Sequence, residues 1–352
     1  MEKSSLPEAA GPLLWGTSQA GSTLLIASSA WMVSGLTSSP LLNGLLPAVA
    51  AIPILFNLRF RQRGYWLQVF GVAGLLIFSF FYSQDQTTKL ILLIASFLSI
   101  FLHGMGQEIS MVPIQKELIS SSGTNMKKIQ VGQEAGILAG NFLTAILFPA
   151  VRQFIPAFLL LIPMAAFIAG KRGASKFSQI EERKNEFNKL CLFQGLVLGG
   201  LFGMLALWVR EIDGGKCFDF AMVLVAYSIG RALVFAIPQM PPQIRYILII
   251  VSLISIEILP IPWLSIVMFG IVGALVSASD FYLVDKVNGA DDLPSRWQIL
   301  QNSSVLGGLV GSVGLGALCQ ALGLDIALLI VIAGFTGLAL ATRETKKHLT
   351  AN

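Results

Sequence analysis

The stretch Gln130-Val131-Gly132-Gln133-Glu134-Ala135-Gly136-Ile137-Leu138-Ala139-Gly140 is answered 168 residues later by Gln298-Ile299-Leu300-Gln301-Asn302-Ser303-Ser304-Val305-Leu306-Gly307-Gly308. Gln, Gln, Leu and Gly fall at the same four places in both copies. The offset is close to half of the 352-residue chain, so the chain reads as two copies of one unit.

The residues around the two copies decide the solvent. Hydrophobic residues make up 55% of the chain and charged residues 12%. That is about half the charged share of a soluble domain. Runs of roughly 20 apolar residues recur, each long enough to cross a bilayer as a helix. A helix is required there because a backbone in lipid has to satisfy its own hydrogen bonds. The 34 glycines suit close helix packing in a membrane. The net charge of +5 is read through membrane topology, with no nucleic-acid partner expected. Cys191, Cys217 and Cys319 show neither CxxC nor metal spacing, so neither a disulfide framework nor a zinc site is expected. Residues 1–12 are polar and proline-containing and the first apolar run continues far, so no cleavable signal is expected.

Twelve spans are predicted, near 13–34, 40–58, 65–83, 89–112, 131–151, 154–170, 190–209, 218–237, 244–260, 262–283, 300–321 and 324–342. Only Pro260-Ile261-Pro262 separates the ninth from the tenth, and a single bent element there would leave eleven. The longest polar segment, 171–189, divides the chain into halves at 1–170 and 190–352. With a cytoplasmic amino terminus, nineteen of the 24 basic residues fall inside and four outside, while Arg231 lies within a span. This bias favours twelve spans with both termini cytoplasmic. Each half then starts on the same side, so the repeat is parallel. The fold class expected is an all-α polytopic membrane protein of two parallel six-helix repeats.

Six plus six spans, a polar central linker and a parallel repeat resemble the major facilitator superfamily. In the fourth span, Gly104-Met105-Gly106 with Pro113 downstream is similar to the family's Gly-x-Gly stretch, without the usual preceding arginine. Gly132, Gly136 and Gly140 are similar to its glycine-rich fifth-span motif, with Asn141 where proline is common, and Gly307, Gly311 and Gly314 answer them in the eleventh span. Between spans two and three, Asn57-Leu58-Arg59-Phe60-Arg61-Gln62-Arg63-Gly64 keeps the motif's glycine but places Arg61 at its aspartate. More narrowly, Gln107-Glu108-Ile109-Ser110-Met111-Val112 is similar to a Gln-Asp-Ile-Ala-x-Asp stretch of muropeptide permeases and acetyl-coenzyme A transporters. Asp280 stands one repeat offset beyond Val112.

An ionisable group within a span costs about 3 kcal/mol or more and is a functional candidate by default. Glu108, Glu134, Arg231, Glu257 and Asp280 qualify, with His103 beside them. The resemblance implies a cavity lined by the first, fourth, seventh and tenth spans. The expected substrate-binding set is Gln19, His103, Gln107, Glu108, Gln194 and Arg231, and the expected gating set is Arg61, Arg63, Glu134, Asp280 and Asp285. Several of these have a second reading. Glu134 near a helix start meets the positive helix end and suits a cap or gate. Asp280 and Asp285 are expected to pair with Arg61 or Arg63 when the inner gate closes. Arg231 binds an anionic cargo or pairs with an acid. His103 is either a packed histidine or a proton relay.

With two histidines, His103 and His348, no His-based metal cluster is expected, and no P-loop GxxxxGK[ST] is present. No cofactor and no enzyme activity are expected. The expectation is a secondary transporter, a symporter if Glu108 carries a proton, moving a small solute by alternating access. Glycine faces on spans five and eleven would pack the two halves together. The rival expectation is a non-transporting assembly or delivery factor of the same fold, binding a pigment, a lipid or a membrane-protein partner.

Overall fold

The computed structural model describes residues 7–56, 58, 61–80, 86–147, 153–170, 187–211, 214–238, 240–259, 261–287 and 293–349. Arg59 and most of the expected linker, 171–186, lie outside them. Twelve α-helices account for nearly all of these residues. They are α1 (Ala10–Leu36), α2 (Pro40–Ala51), α3 (Tyr65–Phe80), α4 (Gln86–Ser122), α5 (Met126–Leu147), α6 (Phe154–Gly170), α7 (Lys189–Glu211), α8 (Cys217–Ala232), α9 (Pro242–Ile258), α10 (Pro262–Lys286), α11 (Leu293–Leu322) and α12 (Ala327–Leu349). Among the described residues, six of these segments (in α3, α4, α7, α10, α11 and α12) are both long and apolar enough to cross a bilayer, and two more, Pro40–Leu55 and Phe154–Gly170, are apolar but shorter. The chain is an all-α polytopic membrane protein.

The ninth and tenth spans are two helices, because Pro262 supplies the first turn of α10 and its missing N–H needs no partner there. The fourth runs ten residues beyond the expected end and carries Pro113 inside it. Residues 113–122 lie beyond the expected span, yet they keep helical geometry to Ser122. Gly123 then closes α4 with a left-handed backbone (φ +64°), which glycine adopts without steric cost, and its N–H reaches Ile119 O at 3.1 Å.

Contacts divide the chain into two compact units, Met1–Leu36 with Ile52–Arg183, and Thr37–Ala51 with Lys184–Asn352. Within the first, α1 packs on α5 and α6, and α3 on α4 and α6. The second repeats this scheme six helices later, with α7 on α11 and α12, and α9 on α10 and α12. The second helix of each repeat ends in a turn of 3-10 helix, at Ile52–Leu55 and at Leu233–Ala236. α8 packs on α10, whereas α2, interrupted by Pro47, packs on α11 and α7 and so groups with the second unit.

The glycine faces are where the structure departs from expectation. Gly132, Gly136 and Gly140 meet Pro12, Gly16 and Ala20 of α1, inside the first unit. A Cβ on Gly140 would stand 2.6 Å from Ala20 O, and one on Gly16 2.8 Å from Gly132 O. Gly307 and Gly311 meet the backbone of Leu192 and Leu196 in α7, inside the second unit, while Gly314 faces open space. These contacts hold each unit together. Lipid gives apolar helices no hydrophobic reason to associate, so the first and fifth helices of each repeat bind through close backbone approach.

Candidate functional site

The second unit gathers three of the sequence candidates into one hydrogen-bonded chain. Asp280 on α10 accepts from Gln194 Nε2 of α7 at 2.6 Å on Oδ1 and from Arg231 Nη1 of α8 at 3.2 Å on Oδ2. Gln194 Oε1 in turn accepts the phenol proton of Tyr246 on α9 at 2.8 Å. Four consecutive helices thus meet in one polar chain within an apolar bundle. Gln194 and Tyr246 are fully buried and Asp280 nearly so, while the Arg231 side chain is 27% exposed. Both carboxylate oxygens are engaged, by one neutral and one charged donor. Such satisfaction is required of a charge held inside a membrane bundle. Arg231 stands in the last turn of α8, where the negative end of the helix suits a cation.

An apolar cluster of Cys191, Leu283, Val284, Val287, Ile299 and Leu300 packs beside the chain on α7, α10 and α11. It fixes the backbones that carry Gln194 and Asp280, each within a turn of it. Hydrogen bonds inside such a low-dielectric layer are stronger than in water, and an orphaned partner costs correspondingly more.

The first unit holds a neutral counterpart. Tyr65, the first residue of α3, donates to Leu161 O at 3.3 Å and shares a 2.8 Å bond with Ser18 of α1. Next to it, Ser22 donates to Gln68 Oε1 at 3.5 Å, Gln68 Nε2 donates to Ser110 Oγ at 3.3 Å, and Ser110 donates to Gly106 O at 2.7 Å. A buried tyrosine near the start of the third helix therefore ties it to the first helix in each repeat. Both tyrosines escaped the reading of the sequence. The available signal was that each lies close behind a basic residue, Arg63 or Arg245, in equivalent helices of a chain with only five tyrosines.

The other candidates are not drawn into either chain by the bonds described. Gln19 is buried in α1, and Gln107 and Glu108 are partly exposed on α4. His103 is wholly buried with neither ring nitrogen hydrogen-bonded among the described residues. Glu134 is partly exposed beside Gln133, whose Oε1 accepts from Trp15 Nε1 at 3.3 Å. Arg61, Arg63 and Asp285 are exposed, and Arg61 N–H donates to Ile109 O at 2.9 Å. Outside the spans, Lys128 bonds the exposed Glu8, and its ammonium holds that carboxyl below the usual range. Among the described residues no three His, Cys, Asp or Glu side chains come together as a metal site.

Tyr246→Phe removes only the phenol oxygen and leaves Gln194 Oε1 without that donor. The expected loss is about 1–2 kcal/mol of stability, read as a lowered thermal unfolding midpoint of the purified protein. An unchanged midpoint would show that the bond does not anchor Gln194.

No protein-family model matches this chain, and no curated protein matches it significantly. Solved structures do resemble it. The nucleoside transporter NupG is similar over 97% of this chain and all of its own, with a TM-score of 0.68 at 12% identity. A bacterial homologue of the human lysosomal transporter Spinster, inward-facing and unoccupied, is similar over 96% of each chain, with a TM-score of 0.58 at 13% identity. A bacterial homologue of the iron transporter ferroportin covers 96% of this chain and 98% of its own, with a TM-score of 0.55 at 13% identity. The chain therefore shares the fold of these solved structures.

Proposed function

We propose that this chain is a secondary transporter that moves a small polar solute by alternating access, with Arg231, Asp280, Gln194 and Tyr246 as its binding and coupling centre. The observation that carries this reading is the buried charge pair itself. An acid and a base kept within a bilayer bundle cost stability, and a hydrophobic pair of similar size would serve packing at least as well. The full-length likeness to solved transporter folds supports it. Guanidinium, carboxylate, amide and phenol together suit a polar, hydrogen-bonding solute. A solute or proton that parts Asp280 from Arg231 has to replace the compensation each loses. That requirement couples occupancy of the site to its geometry.

In this reading the termini face the cytoplasm. Gln19, His103, Gln107 and Glu108 belong to the solute path, while Arg61, Arg63, Glu134 and Asp285 serve gating. The test is solute flux into liposomes with and without a pH gradient. Wild type is expected to give gradient-driven uptake, Asp280→Asn to lose it while remaining folded, and Glu108→Gln to lose its pH dependence if Glu108 carries the proton. Absence of flux for every solute, together with a stoichiometric hydrophobic ligand or protein partner on purification, would overturn transport in favour of a delivery or assembly role.

A further inference from the structure

We infer that the end of the second unit where α9 begins and α10 ends carries a binding site for a phosphate-bearing anion, supplied by an acidic phospholipid headgroup. Tyr282 of α10 is flanked by two cations there. The Arg245 guanidinium carbon is 6.0 Å from the ring centroid and Lys286 Nζ is 5.9 Å from it. Arg245 Nη1 donates to Ala278 O at 2.5 Å and Nη2 to Met240 O at 2.7 Å, so its bonds go to neutral carbonyls. Its Nε is buried without a hydrogen-bond partner among the described residues. Among the described residues neither Arg245 nor Lys286 meets a carboxylate. Among the described residues two cations thus stand against one aromatic ring with dipoles and ring faces opposing them, a charge excess that an anion relieves.

The surroundings choose the anion. The same end of the unit carries Lys189 at the start of α7, Arg296 near the start of α11 and Arg343 near the end of α12, with Asp285 the acid beside Lys286 among the residues whose side chains are described. The opposite end balances Arg210 and Lys216 with Glu211, Asp219, Glu257 and Asp325. Phe281 and Trp297 pair at 5.7 Å beside Tyr282, the aromatic company expected at the headgroup level of a bilayer. A basic cluster at helix ends at that depth suits an anionic lipid headgroup. Arg245 is preorganised by its two carbonyl bonds, and Lys286 supplies an exposed ammonium. The inference rests on the membrane-spanning fold and stands apart from the transport reading.

The experiment compares thermal unfolding of the full chain in phosphatidylcholine nanodiscs, in discs containing phosphatidylglycerol, and in phosphatidylcholine discs with inorganic phosphate added. The midpoint is expected to rise with phosphatidylglycerol alone. That rise should shrink in Lys286→Gln, which removes a charge but none of the hydrogen bonds described, and vanish in Arg245→Gln with Lys286→Gln. Equal midpoints in the two lipids, or a rise untouched by Lys286→Gln, would overturn the site. A rise matched by inorganic phosphate would overturn the lipid assignment.

Discussion

Asp280→Asn is expected to destabilise the protein by about 2–3 kcal/mol. Removing one partner of a buried pair costs roughly 3–5 kcal/mol, and the figure is reduced because the Arg231 side chain is 27% exposed and can recruit water. Asparagine keeps the size of the side chain and one acceptor oxygen, so the loss reports charge rather than packing. Arg231→Gln strands the deeper partner, since the Asp280 side chain is only 10% exposed, and is expected to cost more. The double variant should recover much of either loss, because each single variant leaves one unopposed charge and the double leaves none. The cycle is read from unfolding midpoints of the purified proteins. Additive losses would show that the two groups do not compensate each other. Transport adds a second readout: a double variant that regains stability but not gradient-driven uptake assigns the pair to coupling.

The architecture was legible because its signals are cumulative. Twelve apolar runs, the basic bias and the offset copies all survive an error of several residues at any boundary. The site was legible only where it is charged. Gln194, Arg231 and Asp280 stood out as polar groups in apolar runs, but their partnership depends on how four helices face one another, and no local pattern encodes that. Within the second unit the two oxygens of Asp280 go to Arg231 and Gln194. Tyr246 and Tyr65 were hidden because a tyrosine in an apolar run reads as packing, and only its hydrogen-bond partner reveals the polar use. The glycine spacing correctly marked a face of close approach. It carried no information about which helix would occupy that face, and the occupants proved to be α1 and α7 in the same units.

Those glycines give the sharpest steric prediction. A Cβ on Gly311 would fall within the van der Waals shell of Leu196 O, and one on Gly307 within that of Leu192 O. The obstacle is backbone in both cases, so no rotamer change relieves it and α7 has to move from α11. Moving it also opens the neighbouring contacts of Gly195 with Ser304 and of Gly199 with Gly308. Gly311→Ala is therefore expected to cost about 3 kcal/mol or more, at or beyond the upper end for overpacking. Gly314, one turn further along the same helix, faces no atom within 4 Å. Gly314→Ala should instead be neutral or stabilise by up to about 1 kcal/mol, because alanine loses less backbone entropy in a helix. The repeat extends the contrast to the first unit, where Gly136→Ala drives a methyl into Gly16 O and should behave like Gly311→Ala. Unfolding midpoints of the three variants decide the matter. Equal effects at Gly311 and Gly314 would show that α7 and α11 do not depend on backbone contact, and a harmless Gly136→Ala would show that the two repeats are not packed by the same rule.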